Sequence, residues 1–126
     1  MANAAYEEVM KVVSRPASGD LSSNQYCFVK LDSNGKLAVS ASGDLAFGVL
    51  QDAPAAAGRA GRVCIDGVTK VVVGGSITQG ATVVSDASGR AVASGSGDAN
   101  TNGQSITGGG TAGDLQTIKF QPIGLT

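Results

Sequence analysis

The sequence predicts an all-β fold: a compact small barrel or sandwich of short strands with a pseudo-repeated hairpin unit and an N-terminal arm. Three observations carry that expectation. Short Val/Ala runs recur at intervals of roughly eight to twelve residues between Gly, Asp, Asn and Ser clusters, the spacing of small barrels and sandwiches. Nineteen Gly, only 4% aromatic residues and no Trp leave an interior of small aliphatics joined by tight turns. Most telling, residues 29–44 align without a gap on residues 83–98, with seven of sixteen positions identical: Val29/Val83, Asp32/Asp86, Gly35/Gly89, Ser40/Ser94, Ser42/Ser96, Gly43/Gly97 and Asp44/Asp98. Ala57-Gly58 pairs with Ala112-Gly113 after one extra residue. Turn chemistry is what repeats, which marks a scaffold of duplicated units.

The chain divides into an arm, residues 1–18, and a β-rich domain, residues 19–126. In the arm, Tyr6, Val9, Met10 and Val13 fall at i, i+3, i+4 and i+7, the period of a short amphipathic helix. An extended arm entering the sheet is the alternative. Pro16 ends either element, because it disfavours helix at Arg15 and has no N–H to give a ladder. Residues 26–31 and 36–40 then flank Asp32-Ser33-Asn34-Gly35, a hairpin in which Asp bonds its own backbone. A third strand is expected at 46–51, followed by an Ala/Gly/Pro loop at 52–61. Strands at 62–65 and 68–73 bracket Asp66-Gly67, read as another turn. The second copy of the hairpin runs 81–85, turn, 91–93. Residues 94–113 read as a long Gly/Ser/Asn/Thr loop, and 115–120 as a closing strand of alternating faces.

Chemistry is hard to find in this chain. It has no His, which removes the commonest general base and metal ligand. Asp98-Ala99-Asn100-Thr101-Asn102-Gly103 matches the first half of a calcium loop, but Gly109 stands where a bidentate Glu should close the shell, so an Asx-rich surface loop is the reading. Asp32 and Asp86 are turn starters rather than an acid–base pair. Cys27 and Cys64 lie in strand-like runs and read as small buried hydrophobes. Phe28, Phe47, Phe120 and Tyr26 sit in apolar strand runs and belong to the core. No catalytic residue, cofactor or metal is expected. A net charge of −1 without a basic stripe argues against nucleic acid. No window is apolar for the roughly 20 residues of a membrane span, and no signal peptide is expected at the N-terminus. Tyr6, Val9, Met10, Val12 and Val13 remain as candidate contacts to a partner surface, since an apolar arm outside the main fold commonly awaits one.

The runs Tyr26-Cys-Phe-Val-Lys-Leu-Asp-Ser-Asn-Gly-Lys-Leu, Phe47-Gly-Val-Leu-Gln-Asp-Ala-Pro, Gly67-Val-Thr-Lys-Val-Val-Val-Gly-Gly-Ser-Ile-Thr-Gln-Gly and Ser85-Asp-Ala-Ser-Gly-Arg-Ala-Val together resemble the small capsid decoration (cement) proteins of tailed bacteriophages, over about residues 20–125. The resemblance implies a non-enzymatic structural protein on the outside of the head. It would bind the major capsid protein and itself, as a homo-oligomer for which family analogy suggests a trimer. It would be made in the host bacterial cytoplasm and clamp neighbouring capsomers. The alternative is a carbohydrate- or receptor-binding fibre module, for which residues 94–113 are the one candidate loop.

Overall fold

The computed structural model of the chain describes Ala5 and residues 9–124. Among these, nine strands and no helix are found: β1 (Met10–Pro16), β2 (Phe28–Leu31), β3 (Leu37–Val39), β4 (Gly48–Leu50), β5 (Ala60–Val72), β6 (Thr82–Ser85), β7 (Ala91–Ala93), β8 (Asn100–Ser105) and β9 (Leu115–Gly124). They form one sheet in the order β3-β2-β4-β5-β9-β8-β6-β7, with β1 added beside β5. Every strand pairing is antiparallel, and the sheet curls into a half-barrel.

The repeat read from the sequence is a repeat of the fold. A first half uses β1, the β2–β3 hairpin, β4 and the start of β5; a second uses the rest of β5, the β6–β7 hairpin, β8 and β9. The same backbone bonds recur in both. The Ala17 N–H donates to Arg59 O (2.8 Å) as the Val73 N–H donates to Asp114 O (2.9 Å). The Ser18 N–H reaches Leu37 O as the Gly74 N–H reaches Ala91 O, both at 2.8 Å. Asp32 Oδ1 accepts the Asn34 and Lys36 N–H groups, and Asp86 Oδ1 those of Ser88 and Arg90. Even Tyr26, the one non-glycine residue of positive φ (64°) among those described, stands where the second half has Gly80 (φ 86°).

Two apolar clusters follow the halves. Ala17, Leu21, Val29, Leu37, Leu50 and Val63 form one, entirely from the first half. Their counterparts Val73, Ile77, Val83, Ala91 and Ile118 lie in the other, joined by Val71 and Phe120 and by Phe28, Ala46, Val49 and Cys64 from the first half. The Phe28 and Phe120 rings meet at 6.2 Å between centroids, tilted by 39°. The sixth counterpart, opposite Leu50, is Ser105, whose buried hydroxyl has no hydrogen-bond partner.

Two expectations need correction, and one open alternative is decided. Asp66-Gly67 is not a turn: β5 runs straight through it for 13 residues. One step along β1, from Lys11 to Val12, spans Asp66 to Cys64 on β5, so the chain absorbs an extra residue as a bulge where a hairpin was expected. Residues 94–113 are not one long loop, since Asn100–Ser105 form β8 between β6 and β9. Of the two alternatives for the arm, the extended one is found: Met10–Pro16 form a strand paired with β5.

Close approach fixes the strand spacing. A Cβ at Gly48 would lie 2.4 Å from Cys64 O, and one at its counterpart Gly103 would lie 2.1 Å from Lys119 O. Gly48→Ala is therefore expected to cost about 2–4 kcal/mol in chemical denaturation, as overpacking against backbone does. Ser105→Ala removes an unsatisfied hydroxyl and is expected to leave stability unchanged or raise it by about 1 kcal/mol in the same measurement.

Candidate contact site

Four of the five candidate contact residues fall within the described chain; Tyr6 lies outside the described residues. They do not form a single exposed patch. Val9 is 90% exposed, although its carbonyl accepts the Val68 N–H at 3.2 Å. Met10 packs against the core shared by the halves and Val13 against the core of the first half. Val12 is half-buried and pairs with Cys64. β1 pairs with β5 alone, so its far edge is open among the described residues. Lys11 and Arg15 on this strand and Pro16 at its end are the residue types that discourage indiscriminate edge pairing.

Gly67 is what lets β1 dock. A Cβ there would sit 2.4 Å from Val9 O and 2.6 Å from Met10 Cα. Its φ of 120° is also one that side-chain-bearing residues rarely adopt.

A second surface, which the sequence reading missed, lies at the other end of the chain. Leu45 is exposed, and a Cβ at Gly124 would lie 3.2 Å from its Cδ2 atom, so the loop before β4 touches the end of β9 beside exposed Ile123. Beyond Phe120, β9 pairs with β8 only, and Pro122 falls in this one-sided stretch. The signal was present as Pro122-Ile123 after the closing alternation. It went unread because nothing local ties it to Leu45.

The calcium-like segment serves the scaffold. Asn102 Oδ1 accepts the Ala46 N–H at 2.9 Å, its Nδ2 donates to Asp44 O at 3.2 Å, and Asn100 Nδ2 donates to Gly43 O at 3.1 Å. These amides hold the loops of the two halves together. Asp98 Oδ2 accepts the Gly95 N–H, repeating the bond from the Ala41 N–H to Asp44 Oδ2. Among the described residues no three His, Cys, Asp or Glu side chains are grouped to hold a metal ion. Burial pushes the Cys27 thiol up, away from the thiolate a nucleophile needs. Asp44 is held below the ordinary 3.8 first by the Ala41 N–H and then by Lys30, whose ammonium stands 3.0 Å away. Asp32 is lowered chiefly by the Lys36 N–H. The carboxylates of Asp32, Asp44, Asp86 and Asp98 are anchors of turns.

A sequence pattern described as phage cement protein matches residues 7–120. No curated protein sequence matches the chain. Among solved structures, the chain is similar to the N base of head fiber gp8.5 in bacteriophage phi29, with a TM-score of 0.67 and 15% identity, over 90% of this chain and 95% of that one. At that identity the likeness is one of fold.

Two outcomes follow from this geometry. Gly67→Val is expected to loosen β1 without unfolding the rest, raising the rate of tryptic cleavage after Lys11 about tenfold or more, as local opening does. Carboxylates depressed in the folded state stabilise it above the ordinary 3.8 and lose that contribution as pH falls through the lowered value. Acid unfolding followed by circular dichroism should accordingly set in below about pH 4, with a shallower loss in Asp44→Asn than in the parent.

Proposed function

The chain belongs to the phage cement protein family, and on that premise we propose that it binds the outside of a bacteriophage capsid and stabilises the shell by clamping neighbouring capsomers. The family match over residues 7–120 is the observation that carries this reading. A capsid-associated structural role needs a rigid body and open surfaces, and the fold offers both. Rigidity comes from a single sheet in which six of the nine strands have neighbours on both sides. Open surface comes from β1 with Val9 and from the Leu45–Ile123 corner.

Clamping is a matter of linkage. A protein that binds one shell state and not another shifts the balance toward the bound state by mass action. If one copy touches two capsomers, the second contact is effectively intramolecular, so two modest interfaces hold tightly. The partner is the major capsid protein, with further copies of the chain as a homo-oligomer. Chemistry is no part of the role: the carboxylates anchor turns and both cysteines are buried. Receptor binding by residues 94–113 is the weaker reading, because Asn100 and Asn102 are engaged with residues 43–46 and Phe28 and Phe120 are buried.

The test is co-sedimentation of the protein with expanded empty heads made from the associated capsid protein, scanning concentration to saturation. A saturating ratio in simple proportion to capsid subunits is expected. Absence of pelleting, with both partners folded, would remove the cementing role. Val9→Asp, at a residue 90% exposed, is expected to leave the unfolding midpoint unchanged and to weaken head binding about tenfold, the effect of a charge placed in an apolar contact. Retention equal to the parent's would take β1 out of the footprint.

A further inference from the structure

The junction between the two halves is a template for how one unit of this fold stacks on the next. The same groups can be followed to the two outer ends of the chain. At the junction, three first-half elements meet the second half. The Phe28 N–H donates to Gly89 O at 2.7 Å, Tyr26 O accepts the Val72 N–H at 2.8 Å, and the row Phe28–Val49–Cys64 across β2, β4 and β5 is buried.

On the free face of the first half, the counterparts are closed. Gly35 O, in the place of Gly89 O, is taken by the Arg15 guanidinium through Nε (3.1 Å) and Nη2 (2.8 Å). Pro16 pairs with Ala60 as Val72 pairs with Leu115, and Pro16 has no N–H to donate. Arg15 itself replaces Val71, which is buried.

On the free face of the second half the same holds. Gly80 O, in the place of Tyr26 O, accepts Gln104 Nε2 at 2.8 Å. The row Thr82–Gln104–Lys119, in the same register across β6, β8 and β9, is polar and exposed where Phe28–Val49–Cys64 is apolar and buried. Terminal units of stacked-repeat proteins carry such polar outer faces to stop the stack.

We propose that the two ends are a complementary pair of docking surfaces for a second copy of this chain, held shut by Arg15 and Pro16 on one side and by Thr82, Gln104 and Lys119 on the other. Closure keeps copies from stacking head to tail into an open filament, the outcome of a heterologous contact that does not close on itself. Each copy therefore reaches its binding site as a discrete two-unit body. This holds whatever that site is.

The experiment opens one end at a time. A front-open chain carries Arg15→Val and Pro16→Val; a back-open chain carries Thr82→Phe, Gln104→Val and Lys119→Val. Each is checked for cooperative thermal unfolding and run in sedimentation velocity alone and as an equimolar mixture. If the triple change does not fold, Gln104→Val with Lys119→Val serves as the back-open chain. Each variant alone should keep the parental size, and the mixture should give a species about twice that mass, as one front meets one back. Folded variants that stay separate in the mixture overturn the proposal. So does a front-open chain that associates with itself, because the native back face would then be open.

Discussion

One strand, β5, holds the molecule together. Its first part closes the first half by pairing with β1 and β4, and its last part opens the second half by pairing with β9. The bulge and Gly67 at the changeover let a single strand serve both without a break. A hairpin at Asp66-Gly67 would have given two small sheets, each with an exposed edge and too little apolar area to stand alone. Continuity instead brings Phe28 against Phe120 and merges the interior of one half with the back of the other. The two fully buried aromatic rings thus sit in the layer between the halves, where bulk is needed.

Binding surfaces are what this architecture leaves over. Strand pairing takes up the backbone polarity of the inner strands, turn carboxylates accept N–H groups of both hairpin turns, and the Asn100 and Asn102 amides bridge the loop junction. Among the described residues the two most exposed large apolar side chains, Val9 by β1 and Ile123 by β9, lie near the chain ends, while Leu31, Leu45 and Leu115 are exposed elsewhere. A body so fully satisfied internally has little to give up on binding, so the ordering cost that erodes loop-mediated interfaces is small. That suits a structural member of a shell better than it suits a catalyst.

Much of this was legible in the sequence, and the failures have physical causes. The all-β class, both hairpins and the duplication were written in Asp-x-x-Gly turns, whose bonds are local and so visible in a short window. β8 was not visible, because Asn-Thr-Asn-Gly-Gln-Ser has only Thr101 as a strand former and becomes a strand by lying between β6 and β9. Of the substitutions that hid it, Gln104 in the place of Val49 comes from facing a polar exterior where the first half faces the second; Ser105 in the place of Leu50 is buried, and nothing in the structure explains it. Asp66-Gly67 misled because glycine serves a bulge as readily as a turn. Of the contact residues, exposure of Val9 could be anticipated from its arm. The inward role of Met10 and Val13 could not, since it depends on pairing with a strand some fifty residues away.

The two clusters of apolar side chains are unequal in a way that gives the chain a direction. The cluster of Ala17, Leu21, Val29, Leu37, Leu50 and Val63 draws on residues before Asp66 alone, whereas the other borrows Phe28, Ala46, Val49 and Cys64 from upstream. The first cluster therefore has all its side chains once residue 63 is made, whereas the second waits for both halves. A ribosome releases the residues in that same order, so every group the later half must lean on has already left the exit tunnel when that half emerges.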